Sequence, residues 1–414
     1  MNIDLIIVGN ELLNGKIEDR NTHYLACELY NQGHKLRKVH IIGDDEKLYF
    51  EALDAAFSHS EVVITTGGLG PTQDDLTKDI LGKYFKCTSE CSEEALEMTL
   101  SHFKRGNREY DQDKFPYHYL PRGFKAIFNP AGYAPGLHFT DGRKTVFATP
   151  GVPTEFQAML KEEIFPKLSK NSNEIIKHII VKTWKVPESK IFFELAPKLW
   201  DELSPLGEVS SLPHLVGVDI GVKLIESSQA QISKKEEKII ELIKATPLKD
   251  YIWHIGTETM EELIIREASE KNLTIGCAES CTGGLVASKL TDISGSSAVF
   301  WGSVVSYANE VKMKSLGVGE ETLKNYGAVS EQTALEMAIG AREHLGVDIT
   351  VTTTGIAGPG GGSKEKPVGT VGIGISTSKE SKSKIYHFSG TRKSLKERFA
   401  RVALMKLLEA IREA

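Results

Sequence analysis

A serine at a predicted strand-to-helix turn is the side chain of this chain best placed for covalent chemistry. The segment is Ala278-Glu279-Ser280-Cys281-Thr282-Gly283-Gly284. An apolar run from Leu273 to Cys277 predicts a buried strand before it, and an amphipathic run from Leu285 to Leu290 predicts a helix after it. Such a serine either attacks an electrophile, with backbone N–H groups at the helix start ready to hold an oxyanion or a phosphate, or caps the helix.

A serine that hydrolyses an amide needs a base. Histidine is the usual base, but no histidine stands in a suggestive context. A lysine can serve if burial or a nearby cation keeps it neutral, although most lysines are solvated. Lys312 is the candidate, because it ends the motif Tyr307-Ala308-Asn309-Glu310-Val311-Lys312 just after a predicted strand. Cys281 is a competing nucleophile, and its alternative role is that of a small buried residue supplying its backbone N–H.

Two further segments could complete this site. Thr352 to Gly362 ends a predicted strand in a glycine-rich loop with many backbone donors, and Lys366 to Val371 begins the next strand. Arg392 lies near the head of the final predicted helix. An arginine and a glycine-rich loop are suited to holding a phosphate.

A second glycine-rich turn, Thr66 to Thr77, follows a β-branched strand near the start of the chain. Its glycines would let backbone N–H groups approach a phosphate. Asp74 and Asp75 follow at once, and carboxylates beside such a turn suit a divalent cation that bridges to phosphate oxygens. Glu11 and Asp44 each follow a predicted strand and could reach the same edge. The alternative is a plain turn in which Asp75 caps the next helix.

The elements around these residues alternate between strand and helix, which predicts α/β domains with mostly parallel sheets. A chain of 414 residues is too long for one ordinary core. We predict three domains: 1–170, a small α/β unit at 171–256, and 257–414. The polar stretch Lys170 to Asn173 is the predicted linker between the first two.

Composition excludes several classes of function. The net charge is −6, from 50 basic and 56 acidic residues, so direct nucleic-acid binding is not expected. No apolar run approaches the length that spans a bilayer, and the first residues resemble a strand rather than a signal peptide. Five cysteines, an odd number, suggest reduced thiols and a cytoplasmic protein. No histidine spacing near the cysteines supports a structural zinc site.

Three motifs in the first part of the chain resemble the N-terminal domain of the CinA (competence/damage-inducible) family. They are Val8–Gly15, Thr66–Thr72 and Ala148–Pro153. That domain is similar to the MogA-like, molybdopterin-binding-type fold, a three-layer α/β structure. In the family it is associated with metal-dependent hydrolysis of ADP-ribose to AMP and ribose 5-phosphate. The resemblance implies a divalent metal, Mg or Co, with potassium as a further candidate. The resemblance matches Asp75 and Asp44 to acidic positions of the family, and Asp74 and Glu11 are the further predicted metal ligands. The predicted substrate contacts in the turn are Gly67, Gly68, Gly70 and Thr72.

Four motifs of the last third resemble the C-terminal CinA domain, which is similar to PncC-type deamidases of nicotinamide mononucleotide (NMN). They are Glu-Ser-Cys-Thr-Gly-Gly, Tyr-x-Asn-Glu-x-Lys, Thr-Gly-x-Ala-Gly-Pro and Lys-Pro-Val-Gly-Thr-Val, in family order. The resemblance implies that Ser280 is the nucleophile and Lys312 its base, with no cofactor. The implied supporting residues are Tyr307, Glu279, Thr354 and Arg392. The implied substrate-binding residues are Cys281, Thr282, Gly283, Gly284, Gly355, Ala357 and Gly358.

Together these motifs predict a bifunctional enzyme of pyridine-nucleotide salvage whose ligands are NMN and ADP-ribose. The family resemblance also implies a homodimer. The alternative from another class is a protein that binds a molybdopterin-like ligand, or a competence accessory protein, with only one active domain.

Overall fold

The computed structural model describes residues 1–72, 74–168 and 174–414. The predicted linker, Lys170 to Asn173, lies outside these residues. The chain divides into two compact units, Met1–Lys177 with Leu224–Ser233, and His178–Lys223 with Lys234–Ala414. The boundaries of the three domains therefore stay a prediction, while the α/β class is confirmed by the three larger sheets of the described residues and their flanking helices.

The first part of the chain forms a six-stranded mixed sheet. The strands up to residue 149 are β1 (Asn2–Val8), β2 (Lys35–Ile42), β3 (Val62–Thr66), β4 (Ser89–Cys91), β5 (Tyr119–Pro121), β6 (Lys125–Ile127), β7 (Gly136–Thr140) and β8 (Thr145–Thr149). The order in the main sheet is β2-β1-β3-β8-β7-β6, and β4 pairs with β5 separately. Strands β2, β1, β3 and β8 are parallel, so their carboxyl ends share one edge, where ligands bind in such sheets.

Two hydrophobic cores, one on each face, give this sheet three layers. In β1, Ile6 and Val8 enter one core, and Leu5 and Ile7 enter the other, because successive side chains point to opposite faces. The helices of this part are α1 (Asn10–Leu13), α2 (Asn21–Asn31), α3 (Glu46–Phe57), α4 (Thr77–Tyr84), α5 (Glu93–Arg105) and α6 (Pro153–Met159). Helices α3 and α4 pack on the first face and α2 and α6 on the second. The predicted three-layer fold is thus present.

A four-stranded sheet follows, with the order β10-β11-β9-β12. Its elements are β9 (Ile175–Thr183), α7 (Glu188–Lys190), α8 (Leu199–Leu203), β10 (Glu208–His214), β11 (Gly217–Glu226), α9 (Gln229–Lys244) and β12 (Ile252–Ile255). The sequence from Glu188 to Leu199 predicts a single helix, and this prediction is wrong. The chain forms a π-helical turn over Ile191–Leu195, leaves helical geometry at Ala196, and restarts at α8. Pro197 explains the break, because a proline disfavours helical geometry in the residue before it.

A five-stranded sheet with the order β14-β13-β15-β16-β17 organises the last part of the chain. Its strands are β13 (Ile275–Glu279), β14 (Phe300–Val305), β15 (Ile349–Gly355), β16 (Thr370–Ser376) and β17 (Ser381–His387). Its helices are α10 (Met260–Glu270), α11 (Leu285–Thr291), α12 (Asn309–Leu316), α13 (Glu320–Tyr326), α14 (Glu331–Leu345) and α15 (Arg392–Glu413). Strands β14 and β15 run parallel to β13 on either side of it, so all three end at one edge. Helices α10, α11 and α15 share the larger core on one face of the sheet.

Among the described residues, no helix is long and apolar enough to cross a membrane.

Candidate active sites

Ser280 lies one residue beyond the carboxyl end of β13. Its backbone N–H donates to the carbonyl oxygen of Thr353 at 2.9 Å, which extends the pairing with β15 by one residue. Its side chain is 8% exposed. The serine is therefore held by the sheet at the edge where β13, β14 and β15 end, as the motif predicts.

Lys312 lies in α12 and reaches back to this edge. Its Nζ is 3.0 Å from Ser280 Oγ, 2.7 Å from the carbonyl oxygen of Ser306 and 3.3 Å from that of Tyr307. The residue is only 1% exposed. The lysine that the sequence singled out is therefore buried in direct contact with the serine.

Lys312 loses its proton more readily than a lysine in water does. Burial lowers its pKa from the ordinary 10.5, while Cys281 and Glu310 partly raise it. A neutral amine has two N–H donors and one lone pair. The carbonyl oxygens of Ser306 and Tyr307 can accept both N–H groups, which leaves the lone pair for the hydroxyl of Ser280. In this state the lysine can act as a base toward the serine.

The adjacent thiol is poorly suited to nucleophilic attack. Burial raises the pKa of Cys281 to about 12, and the thiolate is the reactive form of cysteine. Burial likewise raises the pKa of Cys277, which is completely buried two residues before Glu279. The geometry thus favours Ser280 over Cys281 as the nucleophile.

Glu279 faces the start of α11. Its completely buried carboxylate accepts hydrogen bonds from the backbone N–H groups of Gly284, Val286 and Ala287, at 2.9, 3.1 and 2.9 Å. These donors at the helix start are therefore occupied. Among the residues that the structure describes, none accepts a hydrogen bond from the backbone N–H of Cys281, Thr282 or Gly283. The donors open to an oxyanion thus belong to the turn.

Thr353 is a site residue that the sequence reasoning did not single out. Its hydroxyl lies 2.6 Å from that of Thr282 in the serine turn, and its carbonyl accepts from Ser280. The hydroxyl of Thr354, the predicted residue, instead donates to the carbonyl of Ala328 at 2.5 Å. Adjacent strand residues point to opposite faces, so only one of these side chains can face the turn. Because residues 352 to 354 are all threonine, the sequence does not indicate which of these side chains faces the turn.

Arg392 joins two of the predicted segments. Its Nη1 donates to the carbonyl of Gly358 at 2.7 Å, and its Nη2 donates to Tyr307 Oη at 3.4 Å. Tyr307 is 65% exposed and Arg392 is also exposed, so both can meet a ligand in solvent. Gly355 ends β15 and buried Ala357 follows it in the loop before Gly358. The head of α15, the glycine-rich loop and the end of β14 therefore converge.

The glycine-rich turn Thr66 to Thr77, which follows β3, borders a cavity of about 530 Å³. Gly67 has a φ of +106°, and a Cβ there would lie 2.2 Å from the carbonyl oxygen of Val8, so only glycine fits. Asp75 accepts hydrogen bonds from both the backbone N–H and the hydroxyl of Thr72. The predicted residues of this region that line the cavity are Glu11, Asp44, Gly67, Gly68, Gly70, Thr72, Asp74 and Asp75.

The carboxylates in this cavity repel one another. Burial raises the pKa of Asp44 most, Asp74 and Glu11 raise it further, and the backbone N–H of Asn10 lowers it. Acidic oxygens are the donors that a hard divalent cation prefers, so the residues fit the implied metal in chemistry. Across residues 1–72, 74–168 and 174–414, however, no three His, Cys, Asp or Glu side chains are grouped closely enough to hold a metal ion.

Tyr117, Tyr133 and Glu155 also line this cavity and are polar residues that the sequence did not single out. Burial, and then Asp75 and Glu155, raise the pKa of Tyr117 to about 12, so this tyrosine stays neutral. Tyr117 belongs to the polar and aromatic stretch between α5 and β6. The aromatic composition of that stretch was the only signal in the sequence.

Comparison with known families supports an assignment for both ends of the chain. A model described as "Probable molybdopterin binding domain" matches residues 4–170, and one described as "CinA C-terminal domain" matches residues 257–411. The chain is 39% identical over 408 residues to a "Putative competence-damage inducible protein" of Caldicellulosiruptor bescii, covering 99% of this chain and 98% of that protein. The chain belongs to the CinA family. A "CinA-like protein" of Kosmotoga olearia is 36% identical over 412 residues, covering 98% of this chain and 97% of its own.

Two solved structures of CinA proteins are similar to part of this chain. The competence/damage inducible protein CihA of Agrobacterium tumefaciens is 41% identical and covers 38% of this chain and 99% of its own, with a TM-score of 0.36. A CinA superfamily protein of Escherichia coli is 34% identical and covers 37% of this chain and 90% of its own, with a TM-score of 0.35.

Proposed function

We propose that the C-terminal part of this CinA family protein hydrolyses the carboxamide of NMN to nicotinic acid mononucleotide and ammonia. The observation that carries the proposal is the 3.0 Å contact between Ser280 Oγ and the buried Nζ of Lys312. A serine paired with a neutral lysine is suited to acyl transfer from an amide. The four motifs shared with PncC-type deamidases suggest NMN as the amide.

In the first half of the reaction, Lys312 takes the hydroxyl proton as Ser280 Oγ bonds to the carboxamide carbon. The backbone N–H groups of Cys281, Thr282 and Gly283 are the open donors for the resulting oxyanion. Lys312 then returns the proton to the leaving nitrogen, the carbon–nitrogen bond breaks, and ammonia departs.

In the second half, Lys312 takes a proton from water as its oxygen attacks the acyl carbon. The ester bond to Ser280 breaks, and the serine oxygen recovers a proton from Lys312. Nicotinic acid mononucleotide is released. Arg392 is suited to the substrate's phosphate, because the Gly358 carbonyl holds its guanidinium at the loop and its remaining N–H groups can donate to phosphate oxygens.

Ammonia release from NMN by the purified full chain tests this proposal. We expect Ser280→Ala to lower the rate at least about 10³-fold, because the covalent route is lost. Ser294→Ala, which changes an exposed serine, is the matched control and should retain the wild-type rate. Ammonia release that survives in Ser280→Ala would exclude this serine as the nucleophile.

We propose that the N-terminal domain hydrolyses ADP-ribose to AMP and ribose 5-phosphate with a divalent metal. Glu11, Asp44, Asp74 and Asp75 would hold the metal, which would supply Lewis-acid stabilisation of phosphate charge. The backbone at Gly67 and Gly68 would bind a phosphate through its N–H groups. AMP formation from ADP-ribose, measured with added Mg²⁺ or Co²⁺ and with EDTA, tests this proposal.

A second candidate for the N-terminal domain is ligand binding without catalysis. The observation that favours it is that no group of metal-binding side chains is assembled among the described residues. The resemblance to molybdopterin-binding domains would then suggest a pterin-like ligand. Tight binding of a pterin by the full chain, with no AMP formation from ADP-ribose at any metal concentration, would favour this alternative.

A further inference from the structure

A cavity of about 350 Å³ lies apart from the serine–lysine pair and shares no lining residue with either candidate site. It is bordered by the segment after β9, the turn between β10 and β11, and helix α15. Val186, Val216 and Val402 supply apolar surface, and Trp184 and Phe388 supply flat rings. Its size and mainly apolar walls are those of a site for a small organic molecule.

Two cations line this cavity and contact aromatic rings. Lys185 Nζ lies 4.9 Å from the ring centre of Tyr386, and the guanidinium carbon of Arg398 lies 6.0 Å from that of Phe388. In the part of the chain that the structure describes, neither cation forms an ion pair with a carboxylate. Both charges are therefore available to an anion.

Two further lysines lie near Lys185, and one of them, Lys406, is paired with Glu409. Burial lowers the pKa of Lys185, and the nearby Lys406 and Lys384 lower it further, whereas Glu409 raises it. The one carboxylate in the cavity lining, that of Glu188, accepts a hydrogen bond from the hydroxyl of Ser211 at 2.6 Å. A negatively charged group in the cavity would relieve the repulsion among the lysines.

Polar groups and backbone geometry at the cavity are also unusual. Trp184 Nε1 and Arg398 Nε are buried, and among the described residues neither has a hydrogen-bond acceptor. Unpaired buried donors are rare in folded proteins, so each calls for an explanation. Lys185 has a φ of +56°, which non-glycine residues seldom adopt and which is often found at functional sites.

From these observations we propose that the cavity binds a small aromatic carboxylate. The flat ring would pack against Trp184 and Phe388, and the carboxylate would accept hydrogen bonds from Arg398, whose planar guanidinium matches its geometry. Lys185 would add a second positive charge. The inference is independent of the proposed NMN and ADP-ribose activities, because the cavity shares no residue with those sites.

Calorimetric titration of the full chain with naphthoate and with naphthamide tests the proposal. The two probes share one ring system and differ in charge. We expect naphthoate to bind about tenfold or more tightly than naphthamide, the difference that hydrogen bonds to a charged group typically make. Arg398→Gln and Lys185→Gln should each weaken naphthoate binding by a similar factor and leave naphthamide binding unchanged. Equal affinities for the two probes would overturn the proposal.

Lys393→Gln is the matched control, because Lys393 is an exposed cation on the same helix as Arg398 and does not line the cavity. It should bind naphthoate as tightly as the wild type does. A loss of affinity in Lys393→Gln equal to that in Arg398→Gln would mean that the probe responds only to overall charge, which also overturns the proposal. Unchanged near-ultraviolet circular dichroism would establish that the variants are folded. If Arg398→Gln does not fold, Lys185→Gln still tests the site, because it changes an exposed side chain.

Discussion

At the scale of single residues, the environment of Lys312 determines what Ser280 can do. A lysine in water is protonated at neutral pH and has no lone pair for a serine proton. In this chain it is 1% exposed and faces two carbonyl oxygens and a hydroxyl. The same environment that makes the lysine costly to charge makes it useful as a base.

The pH dependence of ammonia release should follow Lys312. Burial lowers its pKa below 10.5, and the proposed base is the neutral amine. We therefore expect kcat/KM to rise with pH and to level off at a pH below 10.5. Lys312→Arg should lose about 10²–10⁴-fold of the activity, because a guanidinium stays protonated. Lys314→Arg, an exposed change in the same helix, is the control. A pH-independent kcat/KM would contradict a lysine base.

Cys281→Ser should keep the activity within a few-fold of wild type. Burial raises the pKa of the Cys281 thiol to about 12, so the thiol stays protonated at neutral pH and alkylating agents should not abolish ammonia release. Steady-state kinetics before and after iodoacetamide treatment provides the measurement. Inactivation that tracks modification of Cys281 would restore the thiol as the nucleophile.

At the scale of elements, the serine turn is held by its neighbours on both sides. Glu279 closes the start of α11 with three hydrogen bonds, and Thr353 holds the turn against β15. Lys312 arrives on α12, whose last residue, Leu316, packs against α14. The contact between Ser280 and Lys312 therefore depends on the positions of these elements.

Glu279→Ala should destabilise the protein by about 1–3 kcal/mol, because buried backbone N–H groups at the start of α11 lose their acceptor. We expect Glu279→Gln to recover part of the stability, since its amide oxygen can still accept. Thermal denaturation monitored by circular dichroism measures both. Glu343→Ala, at an exposed glutamate of α14, should leave the melting temperature unchanged. Full stability in Glu279→Ala would show that the cap is dispensable.

Gly340→Ala tests the contact between α12 and α14. In an exposed helix this change stabilises by about 1 kcal/mol. Here a Cβ at position 340 would lie 1.8 Å from the carbonyl oxygen of Leu316, so the two helices would have to separate. We expect a lower melting temperature and a lower kcat for ammonia release, because α12 carries Lys312. A stabilised variant with normal kcat would show that the position of α12 does not depend on this contact.

At the scale of the whole molecule, the two candidate sites are built from different residues in different compact units. The first has a cavity lined by carboxylates, and the second has a serine, a buried lysine and backbone donors. The chemistry expected of each therefore needs nothing from the other.

Asp75→Asn or EDTA should abolish ADP-ribose hydrolysis and leave ammonia release from NMN intact. Ser280→Ala should have the opposite effect. Parallel assays of AMP and ammonia on the same preparations measure both activities, and the wild type without EDTA is the reference. One substitution that removes both activities from a folded protein would contradict independent sites.

The sequence by itself determined the α/β class and predicted where both candidate sites lie. Apolar runs followed by glycine-rich turns are local signals, and the strands β3 and β13 follow from them directly. The motif order also placed Ser280 and Lys312 in one site, although 32 residues separate them. Local patterns failed where a single residue changed the geometry, as Pro197 does in the helix predicted from Glu188.

Only the tertiary structure decided which side chains meet. Whether Thr353 or Thr354 faces Ser280 depends on the side of β15 on which each lies, and a run of three identical residues carries no such information. The role of Glu279 depends on where α11 begins, and the basicity of Lys312 depends on its burial. Contacts and burial arise from residues far apart in the chain, so the sequence predicted the members of the site and the fold set their functions.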